Sequence, residues 1–171
     1  MNEFVTVSES KTVTAHGIFN MNNNRLVTIK DNICLNRIKQ ELQNINGVTF
    51  INAMKSDEIE NYCEMLNEIN KINFPVMFTE KFGNTYTSYI KCGYSKLGCN
   101  IKQLRWLIPY YRGEKWWIEL EIQNGFLVSF FDSYFEQAKV FNFTFFDIIE
   151  KFVMDIELGE NDYEYRVIKY E

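Results

Sequence analysis

The clearest pattern of apolar and polar positions lies at residues 115–132, KWWIELEI, then QNG, then FLVSFFD. Trp116, Ile118, Leu120 and Ile122 alternate with Lys115, Trp117, Glu119 and Glu121, the period of a strand with one buried face. Phe126, Val128 and Phe130 carry the apolar side onward beyond Asn124-Gly125, a pair that tolerates the positive φ of a tight turn. The stretch predicts a hairpin. One face would bury aromatic and branched residues, and the other would set carboxylates around Trp117.

The rest of the chain sorts by the same two periods. Residues 4–8, 12–19 and 25–30 read as short strands, with Asn22-Asn23-Asn24 as a turn. Leu35, Ile38, Leu42 and Ile45 fall at helical spacing, and Gly47 is a natural stop. Residues 48–51 suit a strand. A second helix should follow, N-capped by Ser56, with Ile59, Tyr62, Cys63, Leu66 and Ile69 on its inner face. After Pro75 the period drops to two, predicting strands at 76–79 and 85–91 joined at Gly83-Asn84. Residues 100–108 suit either a helix turn or a strand. Thr144 and Asp147 approximate a capping box, which predicts a helix through Phe145, Ile148, Ile149, Phe152, Val153 and Ile156 to Gly159. Tyr163, Tyr165 and Val167 alternate in a last strand. Successive hairpins with interspersed helices predict one α+β domain over residues 1–171, a mainly antiparallel sheet with about three helices on it.

Composition sharpens this picture. With 15 Phe and 10 Tyr in 171 residues, the core must rely on flat rings. The net charge of −5 is unevenly placed, because residues 132–171 hold 4 Lys and Arg against 10 Asp and Glu. An acidic surface disfavours nucleic acid and anionic membrane and favours a basic partner. No apolar run approaches the roughly 20 residues of a membrane span, and the first residues lack the apolar stretch of a signal peptide. Cys34, Cys63, Cys92 and Cys99 form no C-x-x-C pair, so reduced thiols in a cytoplasmic protein are the expectation.

Catalytic patterns are missing from the sequence: it has no G-x-S-x-G, no phosphate-binding glycine loop and no H-E-x-x-H. The single histidine, His16, could act alone as a base, but a strand histidine without companions is the ordinary structural case. Glu119 and Glu121, about 7 Å apart along a strand, could pair for acid–base work, yet alternating glutamates are also what a solvated face carries. No catalytic residue, metal site or cofactor is assigned. A second possibility rests on residues 81–113, which hold no acid. There Lys91, Lys96, Lys102 and Arg105, interleaved with Trp106 and Tyr111, suit single-stranded nucleic acid, cations for phosphates and rings for bases. The acidic end offers the stronger lead. Asp132, Glu136, Asp155, Glu157, Glu160, Asp162 and Glu164, with Trp117, Glu119, Glu121 and Tyr134, combine aromatic anchors with a field of one sign. Asp155 and Glu157 would fall in the last turn of the predicted helix, the wrong sign for its dipole, which suggests a use other than helix stability.

Acidic, rich in Asn, Ile and Phe, and without a catalytic motif, the chain resembles the immunity proteins of bacterial contact-dependent growth inhibition and related polymorphic toxin systems. The resemblance is one of overall character and carries over no single residue. It implies a non-catalytic protein that binds a cognate toxin domain, often a basic nuclease, and blocks its working surface.

Overall fold

A computed structural model describes residues 15–55, 59–83, 85–109, 116–138 and 142–171, with the side chains of residues 15–26 and 135–138 excepted. The α+β class and the antiparallel sheet both hold. Two compact units divide the chain, residues 1–38 and 39–171, and every described strand belongs to the second. The first is helical where described: α1 runs Ala15–Gln43 and continues a little way into the second unit. The strands expected at 12–19 and 25–30 are therefore helix from Ala15 onward, and the one at 4–8 lies outside the described residues. Val27, Ile29 and Ile33 are exposed on α1, so the alternation there was not a buried strand face.

Among the described residues, the second unit is built on seven antiparallel strands: β1 (Val48–Lys55), β2 (Phe78–Lys81), β3 (Leu104–Ile108), β4 (Trp116–Ile122), β5 (Phe143–Asp147), β6 (Phe152–Leu158) and β7 (Asp162–Lys169). Their order is β1-β4-β3-β5-β6-β7-β2. Three helices accompany them: α2 (Glu60–Ile69), α3 (Tyr86–Lys96) and α4 (Leu127–Ala138). Of residues 100–108, which fitted either a helix turn or a strand, Leu104–Ile108 form strand β3.

One sheet face is the aromatic core. Trp106 lies 4.3 Å from Phe145 and 6.0 Å from Phe130 of α4, and Tyr94 of α3 lies 5.3 Å from Phe152, all measured between ring centroids. Gly93 lets α3 come this close, because a Cβ there would stand 2.7 Å from the Met154 sulfur. On the opposite face α2 covers only part of the sheet. Ile59, Leu66 and Ile69 pack with Leu107, Trp117, Phe146 and Val153.

In the second unit, three further expected elements changed type. The segment expected as a strand at 85–91 is α3, which Thr85 caps by accepting from the Ser88 N–H; Tyr86, Tyr89, Ile90, Gly93 and Tyr94 also fit a helical period, and burial selected it. The 115–132 hairpin keeps its first strand as β4. Asn124–Phe126 is instead a 3₁₀ turn leading into α4, whose Leu127, Phe130, Phe131 and Tyr134 fall at i, i+3, i+4 and i+7. The helix expected after Thr144 is the β5–β6 hairpin. Asp147 does act as a cap, but of a turn: its Oδ1 accepts from the N–H groups of Ile149 (2.8 Å) and Glu150 (2.7 Å). Lys151 completes the reversal at φ 58°.

Candidate functional site

Strand registers decide which carboxylates share a surface. On the face that α2 partly covers, β6 presents Asp155 and Glu157, and β7 presents Asp162, Glu164 and Arg166, with Asp155 opposite Arg166 and Glu157 opposite Glu164. Arg166 is the centre. Its guanidinium donates to Glu164 at 2.9 Å and to Glu157, and stands 3.5 Å from Asp155. Thr144 donates to Asp155 at 2.6 Å. Burial pushes the Asp155 carboxyl above its ordinary pKa, and the Thr144 and Arg166 contacts pull against that. Burial likewise works against the charge on Arg166, but the surrounding carboxylates outweigh it and raise its pKa. Three carboxylates share one guanidinium. The cluster therefore keeps a negative surplus, carried outward by Glu157 and Glu164, which are 42% and 32% exposed.

Apolar side chains stand exposed at the same end of the sheet, but Leu158, which pairs with Tyr163, and Phe82, whose ring meets that of Tyr163, lie on the opposite sheet face from the cluster. Met77 leads into edge strand β2 and is 56% exposed; Phe82 follows that strand at 43%, and Leu158 at the end of β6 is 41% exposed. The Phe82 ring lies 5.3 Å from that of Tyr163. Beside Glu157 and Arg166 is a cavity of about 230 Å³, also lined by Ile69, Asn70, Lys71 and Ile72. Glu160 is exposed at the tip of the β6–β7 hairpin. Around β2 and this hairpin, Asp155, Glu157, Glu160, Asp162 and Glu164 stand against Lys81 and Arg166, while Glu80, opposite Tyr163 and bonded by Cys92 of α3, lies on the other sheet face. Carboxylates in excess on one sheet face, beside an edge that exposes apolar side chains, are the make-up of a protein-binding surface for a basic partner.

The residues expected to form that surface divide sharply. Glu157, Glu160, Asp162 and Glu164 lie together as described. Asp155 belongs to the cluster but is buried, so it supports Arg166 rather than meeting a partner. Its charge and that of Glu157 sit on a strand, which removes the conflict with a helix dipole. Trp117 cannot be an anchor: it is 0% exposed and packs 5.4 Å from Phe146 under α2. Tyr134 is buried too, stacked 5.6 Å from Phe130. Glu119 is held by Arg105 at 2.7 Å. Glu119 and Glu121 stand three strands from Asp155 in the sheet order, about 14 Å at usual strand spacing. Asp132 is exposed on α4, and Glu136 lies in α4 with its side chain outside the described residues.

The basic set does not assemble. Lys91, Lys96 and Lys102 are exposed, but Arg105 is engaged with Glu119 and Trp106 is 0% exposed, its Nε1 donating to the Tyr94 hydroxyl at 2.9 Å. No base can stack on it. Tyr111 lies outside the described residues. His16 is in α1, not in a strand.

Sequence reasoning missed Arg166, Met77, Phe82 and Leu158. Arg166 follows Asp162 and Glu164 at every second residue along β7, a cation on the same strand face as two acids, and that signal was readable. The exposure of Met77 and Phe82 was not, since it follows from β2 being an edge. Among the described residues, no group of three or more His, Cys, Asp and Glu is placed to hold a metal ion, and no helix is long and apolar enough to cross a membrane. No protein-family model, curated protein or solved structure matches the chain.

Proposed function

We propose that the protein is a non-catalytic binding protein that neutralises a cognate basic toxin domain, a nuclease, by covering its substrate surface. The observation that carries this reading is the Arg166 cluster: carboxylates in excess over their one guanidinium on one sheet face, with Met77 and Phe82 exposed at the adjoining β2 edge. Carboxylates spaced along a sheet imitate the phosphates such an enzyme binds. The apolar residues supply contact area that mere charge attraction lacks.

The test is capture from the native host on the immobilised protein, beside a variant carrying Glu157→Lys, Glu160→Lys and Glu164→Lys. A basic protein should be retained by the first and lost from the second, and its nuclease activity should fall when the wild-type chain is added. Equal retention by both would remove this surface as the binding site. A captured partner without toxic activity would keep the surface and overturn neutralisation.

A further inference from the structure

Hydrogen-bond alternation fixes which backbone groups β2 leaves on its open side. At the mouth of the β6–β7 hairpin the Gly159 N–H donates to the Asp162 carbonyl at 2.9 Å. From there the pairs run Leu158–Tyr163, Glu157–Glu164 and Ile156–Tyr165. Bonded and non-bonded pairs alternate in an antiparallel ladder, so Tyr163 and Tyr165 turn their main-chain groups away from β6, toward β2. The Met77 N–H, donating to the Tyr165 carbonyl at 2.7 Å, agrees. Phe78 faces Tyr165 and Glu80 faces Tyr163, so these two use their groups on β7. Thr79 and Lys81 direct theirs outward.

No described strand lies beyond β2 in the sheet order, and both residues are exposed. Among the described residues, the Lys81 carbonyl takes only a long bond, 3.5 Å, from the Tyr89 hydroxyl. The other edge differs. In β1 the register shifts between Phe50 and Asn52, and such a bulge blunts an edge against pairing. Across the β2 ladder, Thr79 is opposite Glu164 and Lys81 opposite Asp162. A strand laid along β2 therefore has carboxylates one strand away, and exposed Met77 and Phe82 at the two ends of its track.

We propose that the basic partner binds by adding a strand to the β2 edge, its Lys or Arg side chains on the face of Glu164 and Asp162. This rests on the reading of the surface given above and specifies how that surface is used. Main-chain bonds to Thr79 and Lys81 would hold the strand, and the carboxylates would select a cationic one.

The probe is a synthetic nine-residue peptide of alternating lysine and valine, compared at low ionic strength with an analogue N-methylated throughout, which keeps every charge. Strand addition requires the parent peptide to bind at least about tenfold more tightly than the analogue and to slow hydrogen exchange at the Thr79 and Lys81 amides. Thr79→Pro removes only an outward N–H, which an edge strand tolerates, and should weaken the parent peptide by a similar factor. Equal binding of both peptides, without protection of those amides, overturns strand addition and leaves the acidic surface standing. No binding of either peptide below about 1 mM overturns both.

Discussion

Asp147 shows how much one side chain does here. It is fully buried, its carboxylate accepts from two turn N–H groups and the Tyr94 hydroxyl, and Trp106 donates in turn to that hydroxyl. Removing it leaves the buried Tyr94 hydroxyl and two part-buried turn N–H groups without that partner, each a cost. Asp147→Ala should therefore cost about 3 kcal/mol in urea unfolding; a cost below about 1 kcal/mol would mean that water replaces the carboxylate there. Asp147 and Asp155 also share an unusual sign. Burial raises both above the unfolded value of about 3.9, so the native state binds more protons than the unfolded chain above that pH. Their contribution is fullest when they are protonated and is lost as pH rises from about 4 through the raised folded values. Relative to Asp155→Asn, the wild type should lose stability between pH 4 and 7. A difference that is flat or grows with pH would contradict this assignment.

Among the elements, the contest was between two periods that one sequence can satisfy. Tyr86, Tyr89, Ile90 and Tyr94 fit a helix as well as the alternation of 85–91 fits a strand, and the cap at Thr85 was the readable signal that favours the helix. Gly93 then sets how closely α3 meets β6. Gly93→Ala gains about 1 kcal/mol of helix propensity but drives a methyl into the buried Met154 side chain, costing about 1–3 kcal/mol. The net effect should be destabilising in the wild type and stabilising in a Met154→Ala background. An unchanged sign across the two backgrounds would show that α3 does not touch β6 there. Thr144 and Asp147 illustrate the reverse confusion, since an acid that accepts from following N–H groups serves a helix start and a turn equally well. Only Phe143 and Phe145 finding α4 and Trp106 made that stretch a strand.

For the molecule as a whole, charge is the property that acts at a distance. If the β2 and β6–β7 end steers a basic partner, association should slow about tenfold or more between low and physiological salt, with dissociation nearly unaffected. The Glu157, Glu160 and Glu164 reversals should remove most of that slope, whereas Glu121→Lys, on β4, should leave it largely intact. A slope equally sensitive to Glu121 would show that the field is spread over the sheet. By itself, the sequence determined the α+β class, the antiparallel sheet, the aromatic core, strands β1, β4 and β7, helix α2 and the acidity of the last forty residues, because each is written in local period or composition. Tertiary structure alone decided that Trp117 and Tyr134 lie in the core, that Glu119 belongs to Arg105, and that β2 is an edge with Met77 and Phe82 exposed. Those outcomes depend on which strands become neighbours, and strand order is set by packing across the whole sheet, which no local pattern encodes.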